Sequence, residues 1–152
     1  MRLAVAGQKG GAGKSTLAVN VAAELHDRGV HGLLVDADPQ GTALRWAQLA
    51  RDQGHAGPDT LAVGEDLRAR LPAALATRGS AFCVIDCPGR LGKRQVGAFM
   101  LAQTALGDRA VYREALAAGQ GVTRYARGRV AALEVRHLVD ELEARVGHAP
   151  AG

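Results

Sequence analysis

The sequence is poor in the residues that build specialised scaffolds. Only 3% of its 152 residues are aromatic, with a single Trp, two cysteines and five prolines. Two thiols exclude a small disulfide-stapled scaffold. Cys83 and Cys87 are spaced unlike a zinc knuckle and have no His nearby, so both read as plain reduced cysteines. No apolar run approaches the ~20 residues of a membrane-spanning helix, and no basic-then-apolar leader precedes a cleavage site. Glycine reaches 20 residues without any repeat spacing, which excludes collagen-like and solenoid chains. With 47% hydrophobic and 22% charged residues, disorder is excluded too. The expectation is one soluble, cytoplasmic domain over residues 1–152.

Charge is unevenly placed. The chain carries a net +4, with ten basic and nine acidic residues up to Arg90 but nine and six beyond it. In the second part, Arg124, Arg127 and Arg129 belong to a basic stretch that attracts polyanions such as DNA. A solvated surface in an Arg-rich composition, with sixteen Arg to three Lys, accounts for the same stretch.

Apolar periodicity alternates between short runs and helical stripes. Arg2–Ala6, His31–Val35, Thr60–Val63 and Ala81–Ile85 read as strands. Ser15–Arg28, Thr42–Gln53 and Glu65–Arg78, the last in spite of Pro72, read as helices between them. This order predicts βαβ units on a mostly parallel sheet. The second half is less regular: a strand at Val96–Ala102, a helix at Asp108–Ala118, a strand at Val122–Tyr125 and a final helix from about Gly128 to Val146. The polar face of that last helix is acidic, which disfavours a membrane-surface role.

Three motifs carry chemistry. Lys9-Gly10-Gly11-Ala12-Gly13-Lys14-Ser15-Thr16 joins a strand to a helix, the position of a phosphate-binding loop. Its glycines let successive N–H groups turn toward a phosphate, and the helix start adds its dipole. Lys14 reaches the outer phosphates and the Ser15 hydroxyl is a hard ligand for Mg²⁺. The strict pattern has Gly where this chain has Gln8. Asp36 and Asp38 follow the second strand, where paired carboxylates suit Mg²⁺ and water; an Asp-Pro turn capping the next helix fits the same residues. Asp86 ends the fourth strand, as the Mg²⁺-holding Asp of such sites does.

Lys9-Gly-Gly-x-Gly-Lys-Ser, with its leading lysine, resembles the signature of the ParA/MinD family of deviant Walker A ATPases. The resemblance runs from Met1 to about Gly89 and resumes near Val96, and is strongest to the short plasmid-partition type. It implies a three-layer P-loop NTPase fold, shortened, with a nucleotide-binding core over 1–89 and C-terminal strands and helices over 95–152. It also implies ATP and Mg²⁺ as cofactors and catalytic roles for Lys9, Lys14 and Asp36. Lys9 would reach the partner's phosphates in a homodimer, Asp36 would position water, and Ser15, Asp38 and Asp86 would serve the metal. By the same resemblance the chain is a weak ATPase that binds nonspecific DNA, segregates a plasmid, chromosome or other cargo, associates with the nucleoid and answers to a stimulating partner of the ParB kind.

One departure is plain. Only Arg90–Arg94 span an interval that holds about two βα units in the family, including its switch and base-contacting segments. The family's Asp-x-Pro-Pro is Asp86-Cys-Pro-Gly89 here. A shortened sheet exposes an edge that a second copy, swapped or not, would cover. The alternative reading is a nucleotide-binding regulator or adaptor with little or no hydrolysis.

Overall fold

The structure, a computed structural model, describes residues 1–7, 13–63, 67–89, 106–107 and 110–147. Strand β1 (Arg2–Val5) leads to helix α1 (Lys14–Asp27), followed by β2 (Gly32–Asp36), α2 (Thr42–Asp52), β3 (Asp59–Ala62), α3 (Leu67–Arg78) and β4 (Phe82–Asp86). Helices α4 (Ala110–Ala117), α5 (Val122–Tyr125) and α6 (Val130–Gly147) complete the described chain. Every strand expected in the first half is present, its limits shifted by about a residue, and α3 forms around Pro72.

The four strands pair in parallel in the order β1-β4-β2-β3. Strands β2 and β4 are buried at every residue because both of their sheet faces are covered, so they read as unbroken apolar runs. One face carries Val5, Leu34, Phe82 and Val84, packed against Leu25 of α1, Trp46 of α2, Tyr112 of α4, Val122 of α5 and Val135 of α6. The other carries Leu33, Val35, Cys83 and Ile85, with Leu71, Ala74 and Leu75 of α3 against them. This is a three-layer α/β arrangement of helix, sheet and helix.

At one margin, β1 pairs among the described residues only with β4. Because the Cys87 amide donates to the Val5 carbonyl, parallel geometry turns the backbone groups of Arg2 and Ala4 outward. Their side chains are exposed, so the β1 margin is charged and small rather than bulky and apolar. The expected strand at Val96–Ala102 lies outside the described residues.

The segment Val122–Tyr125 forms a helical turn, not the expected strand. Its β-branched and aromatic residues favour a strand, but tertiary context decides. The Tyr125 amide donates to the Gly121 carbonyl and the Ala126 amide to that of Val122. The buried Asn20 side chain accepts from the Val122 amide and caps the turn. α6 is joined to α1 through Arg28, whose guanidinium donates to Glu24 at 2.9 Å, Asp140 at 2.6 Å, Glu143 at 2.8 Å and the Arg136 carbonyl at 3.2 Å.

Candidate phosphate and metal site

The parallel register brings candidate residues of the first half to one pole. Asp36 stands opposite Asp86, and Asp86 opposite Val5, so the C-terminal ends of β1, β4 and β2 lie side by side. Open α/β sheets present their ligand crevice at this end. Helix α1 starts there, and its N-cap is Gly13 in the left-handed region (φ 75°, ψ 14°), a conformation that glycine adopts without steric cost. Among the described residues no side chain caps the start of α1, and no acidic residue occupies its first turn, so its N–H groups and positive dipole end suit an anion. Lys9, Gly10, Gly11 and Ala12 lie outside the described residues.

Lys14 is the first residue of α1, and its side chain folds back toward the end of β1. A Cβ added at Gly7 would lie 3.5 Å from Lys14 Cδ and 3.7 Å from Cγ, so the lysine stem runs over the bare glycine backbone. Ser15 and Thr16 follow in the same half-buried first turn.

The three acids behave differently. Asp36 is buried and both its oxygens are occupied: Oδ1 accepts from the Asp38 amide at 3.1 Å and Oδ2 from the Leu44 amide at 3.0 Å. The second bond satisfies a first-turn donor of α2, whose own N-cap, Gly41, offers no side chain. Asp36 thus caps a helix from the C-terminal end of the sheet, as the capping reading of the Asp-Pro turn expects. Asp38 is half-buried and its Oδ1 accepts from the Gln40 amide at 2.9 Å, closing a turn.

Asp86 is fully buried, and neither carboxylate oxygen has a hydrogen-bond partner among the described residues. Burial pushes its pKa up to about 6. The Ser15 hydroxyl, near but outside bonding geometry, and the Lys14 ammonium favour the anion; Asp36 and Asp38 oppose it. A buried carboxylate without a partner costs free energy that a hard cation removes, so the donor set fits Mg²⁺. Among the described residues no three His, Cys, Asp or Glu side chains cluster as a cation cage. Mg²⁺ does not require one, since it is commonly held by one or two protein oxygens together with water and phosphate oxygens. Bound there, Mg²⁺ would neutralise charge on a triphosphate.

The cysteines take no part in this chemistry. Both are free and buried; desolvation pushes the Cys83 thiol up to about 11 and raises that of Cys87, which keeps both protonated.

Among the basic residues, Arg127 and Arg129 are exposed, whereas Arg124 is bound to the Asp27 carboxylate and donates to the Ala56 carbonyl at 3.0 Å. They lie on or beside α5, which packs against α1, α4 and α6. Sequence reasoning missed Asn20 and Arg28. Asn20 had one visible signal, a polar residue inside the apolar run Leu17–Leu25.

A strand, a left-handed glycine cap, a helix opening on Lys-Ser and a buried Asp on the adjacent strand define a three-layer P-loop nucleotide-binding fold. A family model of the CobQ/CobB/MinD/ParA nucleotide binding domain matches residues 3–124, and the chain belongs to that family. It is 39% identical over 89 residues to maintenance of carboxysome distribution protein A of Halothiobacillus neapolitanus, covering 59% of this chain and 40% of that protein. It is 37% identical over 109 residues to the protein of the same description from Gloeobacter kilaueensis, covering 68% of this chain and 46% of that one. Over 53 residues it is 49% identical to the chromosome-partitioning ATPase Soj of Thermus thermophilus, covering 35% of this chain and 21% of Soj. The chain thus spans less than half the length of the curated relatives it matches. A solved structure, "Structure of Cyanthece apo McdA", superposes with a TM-score of 0.57 over 96% of this chain and 99% of that one, at 13% identity, a likeness of fold. The relatives include both partition and carboxysome-distribution proteins, so the similarity is not confined to the plasmid-partition type. No helix among the described residues is long and apolar enough to cross a membrane.

Proposed function

We propose that the chain is a positioning or partition ATPase that binds ATP and Mg²⁺ at the C-terminal pole of the sheet. The observation that carries this reading is the buried Asp86 carboxylate, without a hydrogen-bond partner among the described residues, beside Lys14 and Ser15 at the start of α1. In it, Gly13, Lys14, Ser15 and Thr16, with Lys9, Gly10, Gly11 and Ala12 from the preceding loop, receive the phosphates. Ser15, Asp86 and Asp38 serve the cation, and Lys14 balances phosphate charge. Asp36 orients water, and Lys9 reaches the phosphates of a second copy. ATP favours a dimer that holds DNA through Arg-rich surface, including Arg127 and Arg129, and a ParB-like protein stimulates hydrolysis in the cytoplasm. Cargo is a plasmid, a chromosome region or, as with the carboxysome-distribution relatives, a protein body.

The test is retention on random-sequence DNA with and without ATP, alongside phosphate release. ATP-dependent retention lost in Lys14→Ala supports the switch; equal, salt-sensitive retention in both states overturns it. A second reading, a nucleotide-binding adaptor with little turnover, is favoured by Asp36, whose two oxygens are already committed to backbone amides. ATP binding without phosphate release above background selects it.

A further inference from the structure

Asn20 is buried in the middle of α1 and its amide group is used at both ends. Its Nδ2 donates to the Thr16 carbonyl at 2.8 Å, in the first turn of α1, and its Oδ1 accepts from the Val122 amide at 2.6 Å, at the start of α5. The approach of α5 to α1 is close: a Cβ at Gly121 would lie 2.7 Å from Ala23 Cβ. Further along, Arg124 binds the Asp27 carboxylate near the other end of α1, and Arg136 donates to the carbonyls of Thr123 and Arg127, both at 3.2 Å. The Gly121–Arg129 segment is therefore mounted on the helix whose N-terminus faces the phosphate pole. Asn20 bonds both the first turn of that helix and the segment.

We infer that Asn20 is a positioning residue that couples triphosphate binding at the start of α1 to the Gly121–Arg129 segment through its two hydrogen bonds. This rests on the proposed binding of ATP at that helix start. A ligand that fixes the first turn fixes the Thr16 carbonyl, hence the Asn20 amide plane, hence the Val122 amide. By reciprocity, a docked α5 favours the first-turn geometry that receives phosphate. The coupling runs through a side chain with no phosphate contact of its own, so its loss leaves the binding groups in place.

Two variants each remove one half of the bridge. Asn20→Asp keeps an acceptor for Val122 but cannot donate to Thr16; Asn20→Ser can bond the Thr16 carbonyl one turn back but is too short for Val122. The readouts are affinity for a nonhydrolysable ATP analogue with Mg²⁺ and amide exchange of residues 121–126 with and without the analogue. In the parent protein the analogue slows that exchange. In both variants the slowing is lost and affinity falls about three- to tenfold, the scale of one hydrogen bond. A merely structural cap predicts something else: faster basal exchange in Asn20→Ser alone, with analogue-induced slowing and affinity kept in both, and that result overturns the proposal. If Asn20→Asp does not fold, Asn20→Ser decides alone, since retained slowing there refutes the bridge. If the parent binds no analogue, the nucleotide reading and this proposal both fall; binding without slowing removes the coupling only.

Discussion

Asp36 and Asp86 face one another across the β2–β4 pairing, yet Asp36 accepts from two backbone amides and Asp86 from no donor among the described residues. Two acids at the same level of one sheet are thereby separated in character. The first is fixed and holds a helix; the second is desolvated and available. The difference arises from the strand exits. After Asp36 the chain turns through Asp38 and Gly41 into α2, and the Asp38 amide of the turn and the Leu44 amide of α2 both donate to the carboxylate. After Asp86 the Cys87 amide instead bonds the Val5 carbonyl, so the following backbone continues the ladder and leaves the carboxylate alone.

Replacing Asp86 by Asn removes a buried charge and keeps the shape. In metal-free buffer at about pH 7.5, above the folded pKa of about 6 so that the buried carboxylate is ionised, Asp86→Asn is expected to be more stable than the parent by about 1–3 kcal/mol. In Mg²⁺ and ATP the order reverses, because only the parent gains from binding. Thermal melts in the four conditions check both signs; a variant that gains as much from Mg-ATP as the parent shows that Asp86 does not serve the cation.

The same carboxylate gives a pH dependence. Its folded pKa of about 6 lies above the ordinary 3.8. Below the ordinary value both states are protonated and no penalty exists. As pH rises through the window from there to about 6, the unfolded chain ionises first, so the folded state loses stability, and above 6 the loss is complete. The stability of the parent minus that of Asp86→Asn should fall by about 2 kcal/mol between pH 4 and pH 7. Urea unfolding across this range without metal measures it, and a flat difference contradicts the burial cost.

Asp36→Ala leaves the Leu44 and Asp38 amides without their acceptor. The expected loss is about 1–2 kcal/mol, the scale of a lost helix cap. Trp46, the only tryptophan, sits on the capped helix and its indole N–H donates to the Gln120 carbonyl at 3.3 Å, so its emission reports displacement of α2. Unchanged emission together with unchanged stability would show that the cap is dispensable. Asp36→Asn, which keeps one acceptor, should lose less.

How far the sequence disclosed this molecule depended on the range of the deciding interactions. β1, α1 and Gly13 were legible because a strand, a glycine turn and a helix start are local patterns. α3 was legible in spite of Pro72 because the apolar spacing around it persists. The segment Val122–Tyr125 was not, since its conformation is set by Asn20 from 102 residues away, beyond any local preference. The occupancy of Asp36 was also hidden: its Asp-Pro context offered a cap or a site, and the fold uses it as a cap at the pole of the site. Arg124 counted as free basic charge in the sequence, whereas Asp27 takes much of it up.

Arg28 gathers Glu24, Asp140 and Glu143 and so fastens α6 to the C-terminal end of α1. Asp140 and Glu143 are well exposed, so each pair is worth little alone; the shared, partly buried guanidinium makes the set worth more than its members. Arg28→Ala should cost about 1–2 kcal/mol at low ionic strength and less in high salt. Arg28→Lys should recover little of it, because one ammonium cannot fan out to four acceptors. Denaturant unfolding at two salt concentrations separates these outcomes; a loss independent of salt would assign the effect to the packing of the arginine stem.

Gly32 and Phe82 are register partners on β2 and β4, and a Cβ at Gly32 would come within 2.2 Å of the Phe82 ring. The ring is 1% exposed, so it has no solvent-facing rotamer to retreat to. Gly32→Ala should therefore destabilise the protein by about 2 kcal/mol or more, through overpacking. Phe82→Ala alone should cost about 3–5 kcal/mol by opening a cavity. In the double variant the clash has no source, and the added methyl fills part of the cavity and stiffens a strand that glycine loosens. Gly32→Ala is then expected to be neutral or mildly stabilising, which gives a coupling energy of about 2 kcal/mol between two sites in direct contact. Chemical unfolding of all four members of the cycle measures that coupling. Equal costs of Gly32→Ala in both backgrounds would mean that backbone strain, and not the aromatic ring, makes glycine necessary at position 32.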